Sequence, residues 1–131
     1  MLKEVKKKLE KEYHLIDGYI DNFIYDNSTK TLVLIIRNPG WGFPYVHLLF
    51  SNVLYLSTQE FEFHYPDEKI YFVEVTSAND RIEELCASIQ GNRFEERLEE
   101  IKNQELIQIK IYMVSGNEYE IICQHVNVSS K

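Results

Sequence analysis

The stretch Thr31–Ser57 limits what this chain can fold into more than any other part of it. Thr31–Arg37 (TLVLIIR) has no polar residue between its ends and is rich in β-branched side chains. A run that short and that apolar, bounded by turn residues, predicts a strand buried on both faces. Tyr45–Ser57 (YVHLLFSNVLYLS) alternates instead. Val46, Leu48, Phe50, Leu54 and Leu56 fall on one face, interrupted by Asn52, and His47, Ser51 and Ser57 fall on the other with Leu49, Val53 and Tyr55. Two long strands on either side of the Gly/Pro-containing loop Asn38–Pro44 predict the centre of an antiparallel sheet that the other segments must cover.

Taken in order, those segments are helix, strands, helices and strands. Leu2, Val5, Leu9 and Tyr13 recur at helical spacing between Lys and Glu, the pattern of a short amphipathic helix packed on the sheet. Asp17-Gly18 marks a turn, after which Tyr19–Tyr25 reads as a strand, and the turn formers of Asp26–Lys30 join it to Thr31 as a hairpin. Phe61, Phe63 and Tyr65 alternate with Glu62 and His64, a strand with one wet face, and Ile70–Val75 follows as the fifth strand. Behind the capping residues Thr76-Ser77, the stripe Ile82, Leu85, Cys86, Ile89 predicts a helix that stops at Gly91-Asn92. Phe94, Leu98 and Ile101 predict a second helix, with Glu95, Glu96, Glu99 and Glu100 toward water. Leu106–Val114 and Glu118–Val128, joined by Ser115-Gly116-Asn117, form a closing hairpin. The expectation is one α+β domain over residues 1–131: a single antiparallel sheet of about seven strands, an N-terminal helix, and a helix pair before the last hairpin.

Composition removes several function classes. The net charge of −7 argues against gripping a nucleic-acid backbone, which needs clustered Lys and Arg. Acidity concentrates in residues 74–105, with nine acids against four bases, whereas residues 1–13 hold five Lys against three Glu. MLKEVKKKLEKEY lacks the apolar centre of a secretory leader, and no apolar run approaches the roughly 18 residues that span a bilayer. A cytoplasmic protein with no membrane partner, whose Cys86 and Cys123 stay reduced, is expected.

No arrangement of reactive side chains stands out. His14, Asp17 and Asp21 are near in sequence, but nothing supplies the paired His or Cys spacing of a zinc site, so neither metal nor cofactor is expected. Cys123 and His125 are two apart on a strand and would share a face, yet a reactive thiolate also needs an electropositive, accessible setting. Glu83-Glu84 and Glu99-Glu100 are adjacent on helices and therefore diverge. Neither a phosphate-binding glycine loop nor a nucleophile motif occurs, and no catalytic residue is assigned. The loop Asn38-Pro39-Gly40-Trp41-Gly42-Phe43-Pro44 carries the sole Trp and is either an apolar plug over the sheet or a recognition loop.

The segments DGYIDNFIYDNSTKTLVLII, VHLLFSNVLYL, IQIKIYM and EIICQHVNV together resemble YxiG-like and related small immunity-type proteins of bacterial toxin systems. Asp17, Gly18 and Ile20 match the opening Asp-Gly before an Ile strand, and Leu48, Phe50 and Val53 match an L-x-F-x-x-V segment. The His that in these proteins directly precedes Asp-Gly stands here at His14. The resemblance implies a non-enzymatic binder that occludes a protein partner such as a basic toxin, to which an acidic surface is complementary. The binding residues expected are Trp41, Phe43, Tyr45, Glu96 and Glu100. The alternatives are a small-molecule-binding domain or small enzyme with a pocket between sheet and helices, or a structural subunit.

Overall fold

Period-two patterning does set the architecture, with departures at three bulged or kinked positions. The computed structural model describes residues 1–39, 45–59, 68–87 and 104–130, apart from the side chains of residues 59 and 85–87. The strands are β1 (Tyr19–Asp26), β2 (Thr31–Arg37), β3 (Tyr45–Gln59), β4 (Ile70–Ser77), β5 (Ile107–Met113) and β6 (Glu118–Ser130). They form a six-stranded sheet in the order β1-β2-β3-β6-β5-β4, each neighbour antiparallel. The first helix, α1 (Leu2–Lys7), runs on as a wider π-helical segment over Lys8–Glu12, and α2 covers Asn79–Ala87. The expected strand Phe61–Tyr65 and the expected helix around Phe94–Ile101 lie outside the described residues.

The sheet curls until its two edge strands touch. Ile70 N–H donates to Gly18 C=O and Asp17 N–H donates to Ile70 C=O, both at 2.8 Å, and Tyr19 bridges Lys69. Phe23 of β1 and Tyr119 of β6 lie with ring centroids 5.5 Å apart, although β2 and β3 separate them in the sheet. The concave side therefore encloses the core. Leu32, Leu34, Ile36, Phe50, Ile109, Ile111 and Ile121 have no exposed surface there. Val5, Leu9 and Leu15 from the N-terminal segment join the same cluster. Each such side chain contributes about 1.5–3 kcal/mol of transfer free energy. Gly18 is needed for closeness rather than for an unusual dihedral. A Cβ there would stand 2.9 Å from both Ile36 Cγ2 and Leu15 C=O, whereas the left-handed residue of that turn is Asp17, at φ 66°.

Four sequence expectations need correction. β2 is not covered on both faces: Leu32, Leu34 and Ile36 are buried, while Thr31, Val33, Ile35 and Arg37 on the outer face are half-buried. The reason is the placement of α2. Its Ile82, with Ala78, packs on Leu106, Ile122 and Tyr55, so it roofs the β5–β6 half of the outer face.

The alternation assigned to Tyr45–Ser57 also slips. Asn52 adopts φ 55°, a left-handed conformation that Asn tolerates better than β-branched residues do, and the pairing with β6 shifts register between Val53 and Tyr55. Val53 thus turns into the core and Leu54 out to solvent, the reverse of strict alternation. Opposite Asn52, β6 passes from buried Cys123 to exposed His125, so these two do not share a face. Thr76 and Ser77, expected to cap α2, instead finish β4, and Ile82 N–H donates to Ala78 C=O at 2.9 Å.

Candidate functional site

Of the residues expected to bind a partner, Tyr45 is described. Trp41, Phe43, Glu96 and Glu100 lie outside the described residues. Tyr45 opens β3 opposite Arg37, and it is 40% exposed. Its outward neighbours follow from the register. Ile24, Val33 and Leu49 form one cross-strand row on the outer face, and Asn22, Ile35 and His47 form the next. Ile24 is 58% and Leu49 40% exposed. This corner of β1, β2 and β3 is the part of the outer face that α2 leaves open, and it carries more large apolar side chains than strand alternation alone requires.

Charge frames the corner. The Arg37 guanidinium lies 4.9 Å over the Tyr19 ring and Lys69 Nζ lies 5.9 Å from it, with Arg37 Nε 3.6 Å from Asp21. At the far end, Asp26 accepts from Ser28 N–H at 2.9 Å and from Ser28 Oγ at 2.6 Å. These bonds hold its carboxyl below the ordinary Asp range, so it remains anionic.

Sequence reasoning missed a polar network on the roofed half of the sheet. Arg81 of α2 reaches Glu120 of β6 through two bonds, Nε to Oε2 at 3.0 Å and Nη2 to Oε1 at 3.2 Å. Gln108 Nε2 also donates to Glu120, Thr76 Oγ1 donates to Gln108 at 3.2 Å, and Arg81 Nη1 meets Glu84 at 3.3 Å. The paired carboxylate raises the Arg81 guanidinium still further above its usual range. Gln108, Lys110, Glu118 and Glu120 are polar residues at alternate positions of β5 and β6. The available signal was that the apolar stripe of α2 needs a surface to lie on, and Ile122 is on that face. The network orients α2; its two carboxylates are both taken up by Arg81, leaving no free acid/base pair within it.

Cys123 is a free thiol buried in the core, and burial pushes it up to about 12, against the thiolate a nucleophile would need. Among the described residues no three His, Cys, Asp or Glu side chains are gathered as metal ligands, and no helix is long and apolar enough to cross a membrane. A recess of about 160 Å³ lies between the end of the N-terminal helical segment and β4, lined by Tyr13, His14, Ile16 and Phe72 among others. That is small beside the roughly 300–1,000 Å³ of ordinary ligand pockets. No protein-family model and no curated protein matches the chain.

Proposed function

We propose that this chain is a small acidic cytoplasmic protein-binding domain that acts by docking, in the manner of an immunity-type inhibitor that occludes a basic toxin. The observation that carries the reading is the open corner of the outer face, where Tyr45 and Leu49 of β3 and Ile24 of β1 stand exposed on either side of β2. Rigid strands presenting aromatic and aliphatic side chains supply anchors at low entropic cost. The net charge of −7 suits a basic partner and would speed encounter with it. Trp41 and Phe43, which lie between β2 and β3 in the chain, enter this reading as further anchors, and Glu96 and Glu100 as steering charges. The recess beside β4 is itself smaller than a typical small-ligand pocket.

The partner is found by affinity capture from the native cells with mass spectrometry, and the reading is then tested by kinetics with the purified pair. Tyr45→Ala and Leu49→Asp should raise the dissociation rate, an anchor being worth about 2 kcal/mol or more. Trp41→Ala should behave likewise. Glu96→Lys with Glu100→Lys should mainly slow association, and less so as salt rises. Unchanged dissociation in the Tyr45 and Leu49 variants, with their folding intact, would move the interface off this corner.

A further inference from the structure

The edge of β4 is closed at two places, and the backbone between them is left unpaired. At one place Lys6 Nζ donates to Val75 C=O at 3.1 Å and Val75 N–H donates to Glu10 Oε1 at 3.3 Å, with Lys6 and Glu10 paired at 2.9 Å. At the other, Ile70 N–H donates to Gly18 C=O and Ile70 C=O accepts from Asp17 N–H. In an antiparallel ladder the backbone groups of successive residues face alternate sides. Val75 is bonded outward, so Val73 N–H and C=O also point away from β5. The bulge between Ile70 and Phe72 brings Ile70 round to the same side. Val73 is 4% exposed, yet neither of its outward groups has a partner among the described residues. A buried donor and acceptor left together in this way are rare, because leaving such bonds unmade costs more than making them returns.

The pair faces the recess of about 160 Å³ that Val73 helps to line. The strand edge is covered here by the chain itself. The segment Leu9–Ile16 runs past it, between the closure made by Lys6 and Glu10 and the one made by Asp17 and Gly18. Leu9, Leu15 and Ile16 supply aliphatic walls, and Tyr13 and Phe72 supply aromatic ones. A cavity of about 150 Å³ with apolar walls holds one benzene molecule, so this one admits a single ring. Val73 offers that ring a donor beside an acceptor. The matching edge is an acceptor beside a donor, which is what a lactam or a primary carboxamide presents.

We infer that the recess binds one six-membered ring bearing a cis amide edge, either a lactam within the ring or an aromatic carboxamide on it. The amide C=O accepts from Val73 N–H, and the amide N–H donates to Val73 C=O. Both bonds form where water has little access, and they convert two unpaired backbone groups into a selective contact. The ring face lies against the apolar walls, and any larger group attached to it projects from the mouth. The site does not depend on the docking reading, whose described residues are on β1 and β3.

The test is residue-resolved NMR of the full chain, titrated at millimolar concentration with benzamide, pyridone, their N-methylated analogues, and benzoate. Benzamide or pyridone should move the Val73 amide proton downfield, with other shifts gathered in residues 9–16 and 72–73. At saturation that amide should exchange about tenfold more slowly. The N-methylated analogues, which cannot donate, should bind about tenfold more weakly or worse. Tighter binding of benzamide assigns the site to carboxamides, and tighter binding of pyridone assigns it to lactams. Val73→Pro removes the outward N–H without touching the ladder to β5, a place where an edge strand accepts Pro, and should weaken binding by about tenfold. Where that variant does not fold, the comparison of analogues on the parent chain decides. An unmoved Val73 amide with both amides overturns the inference. Equal binding of the N-methylated analogues overturns it as well, leaving an apolar hollow. Benzoate binding as tightly as benzamide also overturns it, because the contact would then belong to Lys11 and His14 in the same walls.

Discussion

Arg81→Ala should destabilise the protein far more than a helix-surface Arg ordinarily does. The Glu120 side chain is 9% exposed and is held by both Arg81 bonds and by Gln108, whereas Arg81 itself is 34% exposed. Removing one member of a buried pair typically costs about 3–5 kcal/mol, chiefly because the other charge is left uncompensated. Part of that must be discounted here. Arg81 is partly solvated, and water admitted by its truncation can reach Glu120. The expected loss is about 2–3 kcal/mol out of a total stability of about 5–15. For a domain of this size that corresponds to roughly 6–12 °C in Tm.

The assay is urea and thermal unfolding of Arg81→Ala, Glu120→Gln and the double variant. Glu120→Gln keeps an acceptor for Gln108 but removes the charge, so the double variant should regain about 1–2 kcal/mol relative to Arg81→Ala alone. Glu84→Ala is the internal control. Its side chain is 69% exposed, and its ion pair with Arg81 should be worth about 0.5 kcal/mol or less. Stability of Arg81→Ala within about 0.5 kcal/mol of the parent would refute the argument, since that is the scatter of an ordinary surface substitution.

Other substitutions test the sheet itself. Leu34, with no exposed surface, should not tolerate Asp, because a buried unpaired carboxylate costs several kcal/mol; a soluble Leu34→Asp protein with a cooperative urea transition would contradict the placement of β2. Asn52, at φ 55°, should accept Gly at little cost, whereas Val should cost about 1–2 kcal/mol, as equilibrium unfolding will report. Cys123 should react with a thiol reagent at neutral pH at the rate of unfolding. Because its folded value is raised to about 12 from 9.0, its contribution to stability is complete below about pH 9 and declines as pH climbs from there toward 12. That slope should be absent from Cys123→Ala, and an equal slope in both proteins would place the thiol in a wetter setting.

The sequence made the sheet legible wherever period two held without interruption. β2, β5 and the hairpins β1–β2 and β5–β6 sit within a residue or two of where alternation and turn chemistry put them. It misled where a single residue changed the period. Asn52 looked like a polar interruption in an apolar face, but its left-handed backbone shifts the residues after it, exchanging Val53 and Leu54. It misled again over β2, whose unbroken apolar run read as burial on both sides. Periodicity can say that a face is apolar; it cannot say whether another element arrives to cover it. That decision depended on where α2 lands, and α2 is placed by Arg81 and Glu120, which are 39 residues apart and separately look like surface charges. Tyr45, expected as a contact residue, is 40% exposed, whereas the exposure of Ile24 and Leu49 depends on where α2 lands and could not be read from alternation.

The placement of α2 and of the N-terminal helix decides which surface remains for function. A curled sheet has an enclosed side, an outer side and two edges, and each must be packed, polar or used. The enclosed side is filled by the strands' own side chains with Val5, Leu9 and Leu15. The β4 edge is stopped by Lys6 and Glu10, and half of the outer side is roofed by α2 over Ile122. Among the described residues, what remains is the outer corner of β1, β2 and β3, with Ile24 at its β1 side. An unused surface under selection for solubility drifts toward charge and short polar side chains. This one keeps Ile24 and Leu49 exposed in one row and Tyr45 exposed two rows further along the same face. A protein partner that rests apolar side chains on Ile24, Leu49 and Tyr45 would cover this corner.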